Sequence, residues 1–309
     1  MEYVFKAKGL RKSYGKFAAL TDVNMEIPRG AIYGFVGKNG AGKTTLIRLM
    51  CGLQRPSSGS YELMGKAFDD KDIVKSRRRM GAVIEEPAIY KGMSARDNLI
   101  QQCLMLGIPD FDGVDEILRQ VGLTDTGKKK AGNFSQGMRQ RLGIGIALCG
   151  SPDFIVLDEP INGLDPQGII EIRELILKLN KEHGVTFLIS SHILDELAKI
   201  ATNFGFIDKG KIIRQMSCEE LKSVCRKSIR IKVNDVGLFA KLMEEKALEY
   251  RIIDANTADV YADLTFSDIA KDCEKTGCSI ITIDERNESL EAFYLSLVGG
   301  EDYVPKSIR

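Results

Sequence analysis

Gly37-Lys38-Asn39-Gly40-Ala41-Gly42-Lys43-Thr44 follows an apolar run at 31–36 and opens a segment of helical composition at 43–50. The pattern GxxxxGK[ST] between a strand and a helix is a phosphate-binding loop. Glycines let backbone N–H groups approach phosphate oxygens without a Cβ in the way. The N-terminus of the following helix adds its partial positive charge. A chance match in a chain of this size has a probability on the order of one per cent, and the flanking strand and helix lower it further. Lys43 is placed to reach the β- and γ-phosphates of a nucleoside triphosphate, and the Thr44 hydroxyl to ligate Mg²⁺.

Outward from this loop, the order of elements points to a buried parallel sheet. Residues 4–7, 18–27 and 31–36 read as strands broken by turns at Ser13-Tyr14-Gly15 and Pro28-Arg29-Gly30. Residues 54–59 read as a loop and 94–121 as helical. A helix at 135–149 leads into an apolar strand at 154–157, followed by helix 166–181, strand 185–189, helix 193–201 and strand 204–207. Strands that alternate with helices in this way form an α/β fold with a buried sheet. After about Ser217 the order becomes β-α-β-β-α-β plus a helix: strand 229–233, helix 238–248, strands 250–253 and 260–264 around Asn256-Thr257, helix 269–275, strand 279–283 and helix 290–297. That order is ferredoxin-like. The expected division is 1–216 and 217–309.

Phe154-Ile155-Val156-Leu157-Asp158-Glu159 is an apolar strand ending in two acids. Side chains alternate along a strand, so the two carboxylates are expected to face different directions. One can hold the water shell of Mg²⁺ while the other orients or deprotonates an attacking water. The end of a strand is where open α/β sheets bind ligands.

The bulk numbers narrow the field. The chain has 309 residues, 44% hydrophobic and 28% charged, with a net charge of +1, so composition gives no electrostatic pointer to nucleic acid or an anionic membrane. Its apolar runs are too short to span a bilayer, and the N-terminus carries no pattern of a signal peptide. Seven cysteines without a CxxC pair and only two histidines argue against a disulfide framework or a structural zinc site and suit a reducing compartment.

Further segments resemble an ATP-binding cassette subunit of an ABC transporter. Asn133-Phe134-Ser135-Gln136-Gly137-Met138-Arg139-Gln140-Arg141-Leu142 is similar to the family's signature, Asn162-Gly163-Leu164-Asp165-Pro166 to its D-loop, and Ser190-Ser191-His192 to its switch histidine. The resemblance covers about 3–215. It implies a P-loop NTPase domain with a mixed sheet, an antiparallel β subdomain and a helical subdomain. It implies ATP and Mg²⁺ as ligands, with Tyr14 against adenine. Gly37, Asn39, Gly40, Ala41, Gly42, Lys43, Thr44 and Thr45 would surround the phosphates. Thr44, Asp158 and Glu85 would attend the metal, Glu159 would be the base, and His192 would contact the γ-phosphate. Two subunits, identical or homologous, would pack head to tail, so that Ser135 and Gly137 of one meet the nucleotide of the other. Ser135 is equally a suitable helix N-cap, and the two roles can coexist.

Two departures sharpen the expectation. Met80-Gly81-Ala82-Val83-Ile84-Glu85-Glu86-Pro87 has Glu85 where the family normally has Gln. A carboxylate accepts hydrogen bonds but cannot donate one, and it adds a negative charge near the γ-phosphate. This is similar to subunits of bacitracin-type and lantibiotic-immunity exporters. Gln136 replaces a signature glycine, which would be strained if that position had positive φ. The mixed α/β end, with Ser289-Leu290-Glu291-Ala292-Phe293, is similar to that of exporter subunits linked to antibiotic resistance. The expected partner is an integral membrane permease at the cytoplasmic face of the membrane, with no nucleic acid bound. The competing reading is a soluble ATPase acting on ribosomes or nucleic acid. Such relatives carry two cassettes or a long coiled coil, and this chain has neither. A pure nucleotide sensor would need neither Glu159 nor His192.

Overall fold

Ile32–Val36, Phe154–Asp158 and Thr186–Ser191 are buried at every residue. Strands apolar on both faces cannot sit at a wetted surface. They form the middle of a six-stranded sheet with the order Lys211–Ser217, Asn203–Asp208, Ile32–Val36, Thr186–Ser191, Phe154–Asp158, Met80–Val83. All neighbours are parallel except the hairpin edge Lys211–Ser217. The computed structural model describes residues 2–225, 228–261, 266–286 and 290–299. The chain divides into two units, Met1–Cys218 and Glu219–Arg309.

In the first unit, an antiparallel sheet runs in the order Phe17–Pro28, Tyr3–Tyr14, Ser58–Leu63, Lys66–Ala67. The helix Lys43–Met50 buries Leu46, Ile47, Leu49 and Met50 in one apolar cluster. That cluster includes Val23 and Ile27 of this sheet and Phe154, Val156 and Leu188 of the other. The phosphate-loop helix is therefore wedged between the sheets, and its first turn is fixed from both sides.

Several expected boundaries shift, each for a tertiary reason. The loop at 54–59 is partly strand, because Ser58 and Ser60 pair with Arg11 and Lys8. Gly59 is needed there: a Cβ would stand 2.1 Å from Gly9 O, and its φ is +78°. Met80–Val83 and Lys211–Ser217 are sheet edges that periodicity did not reveal. The helical stretch 94–121 splits into Ala95–Leu106 and Gly113–Gln120, since Gly107 caps the first with φ +72° and Pro109 follows. The helix expected at 193–201 shortens to Leu194–Ala198.

The second unit has a sheet in the order Tyr250–Ile252, Thr257–Val260, Ser228–Val233, Ile280–Arg286, antiparallel throughout. Helices Val236–Glu245 and Phe266–Thr276 connect these strands in the ferredoxin-like β-α-β-β-α-β order. The first strand lies between the third and fourth, as that topology requires. The core holds Ile229, Ile231, Val233, Phe239, Leu242, Ala258 and Val260. The second hairpin strand begins at Thr257 rather than at 260, because Asp254 accepts from Asn256 N at 2.9 Å and turns the chain earlier. Residues 262–264, expected to extend it, and Ser289 lie outside the described residues. Among the described residues, no helix is long and apolar enough to cross a membrane.

Candidate functional site

The phosphate loop is held by tight backbone contacts. A Cβ on Gly37 would lie 2.7 Å from Ile207 O, and one on Gly42 2.9 Å from Ala19 O, with Gly42 at φ +110°. Neither position admits a side chain. Helix Lys43–Met50 has Gly42 as N-cap and no side-chain cap, so its first N–H groups are left for an anion. Lys43 is 5% exposed, and its Nζ folds back to donate to Gly37 O at 2.6 Å. Asn39 is exposed at the crown of the loop, and Thr45 is half-buried beside Thr44.

The acid pair is assembled from three chain segments. Thr44 Oγ1 donates to Asp158 Oδ2 at 2.9 Å, and Ser190 Oγ donates to Asp158 Oδ1 at 2.5 Å. Asp158 is 2% exposed, and these two hydroxyls offset the loss of water around its carboxylate. Ser190 also accepts from Glu159 N, through its Oγ at 3.0 Å and its carbonyl at 3.1 Å.

Glu159 does not simply take the opposite face of the strand. The strand ends at Asp158, and Glu159 has φ +50°, a left-handed conformation that costs an L-residue about 1–2 kcal/mol. That turn brings its carboxylate between two basic groups. Oε1 is 3.1 Å from Lys43 Nζ, and Oε2 is 2.9 Å from His192 Nδ1. Although Oε1 lies within ion-pair distance of Lys43, it accepts no hydrogen bond and is buried. The ammonium also donates to the loop carbonyls of Gly37 and Lys38. Glu159 thus presents one oxygen to Lys43 and the other to His192, beside the phosphate loop. Because an ionised carboxylate only accepts, the His192 tautomer with a proton on Nδ1 fits this contact and leaves Nε2 free.

Lys43, Thr44, Asp158, Glu159 and His192 therefore form one connected set. Ser190 joins it in a role that the sequence pattern did not reveal. Glu85 stands beside this set. It lines a cleft of about 720 Å³ with Thr44, Asp158 and Glu159, but its Oε1 pairs with Arg48 Nη2 at 2.5 Å. The extra charge expected beside the γ-phosphate is thus matched by a guanidinium. The only sequence signal for Arg48 was its place four residues after Thr44, on the same helix face.

Ser135 caps helix Gln136–Leu148, its Oγ accepting from Met138 N at 3.2 Å, and it remains exposed. Gly137 has open space around it: a Cβ there would have Gly168 Cα as its nearest non-local neighbour, at 4.0 Å. Gln136 is not strained: it is the first helical residue and has no positive φ. Its Nε2 donates to Asn162 O at 3.0 Å. Tyr14 is 44% exposed, with its hydroxyl on Gln54 Oε1 and Lys12 Nζ 5.2 Å from the ring centroid.

The family model described as ABC transporter matches residues 20–162. The chain is 38% identical over 305 residues to the bacitracin transport ATP-binding protein BcrA of Bacillus licheniformis, covering 97% of this chain and 99% of that one. It is 45% identical over 210 residues to the lantibiotic transport ATP-binding protein SrtF of Streptococcus pyogenes, covering 68% and 89%. Among solved structures, cbiO1 of Clostridium perfringens, part of the ABC transporter complex cbiONQ, superposes with a TM-score of 0.65 at 29% identity, covering 72% of this chain and 92% of that one.

Proposed function

The chain belongs to the ATP-binding subunits of ABC transporters and is an ATPase, and on that footing we propose that it drives a separate membrane permease that exports a peptide antibiotic, a drug or a similar amphipathic compound. The observation that carries the hydrolytic assignment is the Glu159 carboxylate held between Lys43 and His192 beside the phosphate loop. The names of the relatives, which transport bacitracin and a lantibiotic, support the substrate class.

In the proposed reaction, ATP lies on the phosphate loop with Lys43 against its β- and γ-phosphates. A water donates a hydrogen bond to Glu159 Oε1 and attacks the γ-phosphorus. As the new P–O bond forms, the proton passes to Glu159 and the bond to the β-phosphate oxygen breaks, leaving ADP and phosphate. His192 Nδ1 holds the far carboxylate oxygen, so Oε1 keeps its aim, and Nε2 faces the γ-phosphate. Among the described residues no three Asp, Glu, His or Cys side chains converge on a cation site. The Thr44–Asp158 pair nevertheless fits Mg²⁺ held jointly with nucleotide phosphates, the usual arrangement for that ion. When bound, Mg²⁺ neutralises charge on the leaving diphosphate.

The exposed Ser135 and the uncrowded Gly137 support the head-to-tail dimer, in which they meet the nucleotide of a second copy or a homologue. We assign 1–216 to the ATP-binding domain and 217–309 to an accessory domain, and place the protein at the cytoplasmic face of the membrane.

The test is co-expression with candidate permeases in an antibiotic-sensitive host, together with pull-down from detergent-extracted membranes. Raised resistance to a bacitracin-like peptide, abolished by Lys43→Ala, and recovery of an integral membrane protein are expected. Recovery of ribosomes without a membrane protein would overturn the transport reading.

A further inference from the structure

Four carboxylates, Glu85, Glu86, Asp158 and Glu159, line one cleft beside the phosphate loop. Lys91 and Arg139 line it as well, so an incoming triphosphate meets more acidic than basic groups there. Asp158 is satisfied by Thr44 and Ser190, and Glu159 lies between Lys43 and His192. Glu85 is brought next to them by sheet register: Met80–Val83 runs parallel to Phe154–Asp158, with Val83 beside Leu157, so both segments leave the sheet at the same end. Glu85 has φ +61°, an unfavourable conformation for a non-glycine residue that needs support from its surroundings. Its carboxylate is turned to Arg48, 2.5 Å away. Arg48 stands one turn beyond Thr44 on the helix Lys43–Met50.

We propose that Arg48 is a positioning residue for Glu85, which draws this carboxylate aside and cancels its charge so that the phosphate loop can accept the triphosphate. Arg48 acts through Glu85 and need not touch the nucleotide. The proposal rests on the reading that the loop binds ATP.

The test is a double-mutant cycle read by fluorescence titration with MANT-ATP in EDTA, which requires neither metal nor turnover. Arg48→Met is expected to weaken binding about three- to fivefold when Glu85 is present, the range for a partly exposed ion pair. In a Glu85→Gln background the same change is expected to alter binding by less than about 1.5-fold, again from the small size of such pairs. Arg48→Lys, which keeps the charge, is expected to restore most of the affinity. An equal loss in both backgrounds would show that Arg48 acts on the phosphates or the fold directly, and would overturn the proposal. So would an absence of any loss, or a lysine that restores nothing. If the unaltered chain fails to bind MANT-ATP, or binds it equally after Lys43→Ala, the loop reading itself fails, which is a separate outcome.

Discussion

His192 Nδ1 stands 2.9 Å from Glu159 Oε2, and Lys43 Nζ stands 3.1 Å from Glu159 Oε1. One carboxylate oxygen is anchored by a ring nitrogen and the other faces an ammonium that a phosphate can draw away, an arrangement suited to a group that must keep its direction and later receive a proton. The anchor comes from the residue just past strand Thr186–Ser191 and the carboxylate from the residue just past Phe154–Asp158, two neighbouring strands of the central sheet.

Glu159→Gln keeps the size of the side chain and removes the base. Phosphate release is expected to fall by about 10²-fold or more, the usual contribution of a general base, with MANT-ATP binding retained. With ATP present, the variant should elute from size exclusion as a dimer. Turnover at the wild-type rate would remove Glu159 from the role of base.

His192→Ala takes away the donor that orients Glu159. The expected result is a kcat lowered by about 10–100-fold with little change in KM, because loss of orientation acts in the transition state more than in binding. Steady-state ATPase kinetics decide it. A change confined to KM would place His192 in ground-state binding instead.

Gly143 carries a prediction about packing. A Cβ there would stand 2.7 Å from Pro87 Cβ, and Pro87 belongs to the loop that presents Glu85. Gly143→Ala must therefore displace a ring held by backbone. A loss of about 1–3 kcal/mol is expected from overpacking, measured by denaturant unfolding, together with weaker MANT-ATP binding. A variant as stable as the parent would show that the loop yields freely.

The start of helix Ala95–Leu106 carries an acid-sensitive cap. Ser94 donates to the Asp97 carboxylate from Oγ at 2.6 Å and from its backbone N at 3.3 Å. These bonds hold the Asp97 carboxyl below its usual range. A group whose folded pKa is depressed stabilises above its unfolded value, near 3.9 for Asp, and loses that effect as pH falls through the lower folded value. Asp97→Asn is therefore expected to lower the melting temperature slightly at pH 7, with the gap beginning to close below about pH 4, where the unfolded carboxyl takes up a proton, and closing fully once pH has fallen through the lower folded value. A gap of constant size down to pH 3 would show that the charge of Asp97 plays no part.

Much of the site was legible because its chemistry is local. The spacing from Gly37 to Thr44 dictates a phosphate loop, and the apolar run into Asp158-Glu159 dictates a buried strand with acids at its end. Ser135 is an N-cap by residue type and position. What escaped was non-local. Ser190 serves Asp158 and the Glu159 amide only because parallel pairing sets Asp158 opposite Ser190. The polar strand around Ser58-Gly59-Ser60 exists only because Tyr3–Tyr14 offers it an edge. The condition for strain at Gln136, a positive φ, is not met, because the residue already lies in the first turn of its helix, where Asn162 receives its amide.

By itself, the sequence determined the nucleotide chemistry, the alternation of strand and helix, and the ferredoxin-like order of the second unit. Each depends on residue type at short, fixed spacing, where backbone geometry leaves few choices. Tertiary structure alone decided that Glu159 adopts φ +50° and lies between Lys43 and His192, and that Glu85 turns to Arg48. Those outcomes are set by which charges and hydroxyls the folded sheet brings within about 3 Å, the range of a hydrogen bond, and separation along the chain carries no record of that distance.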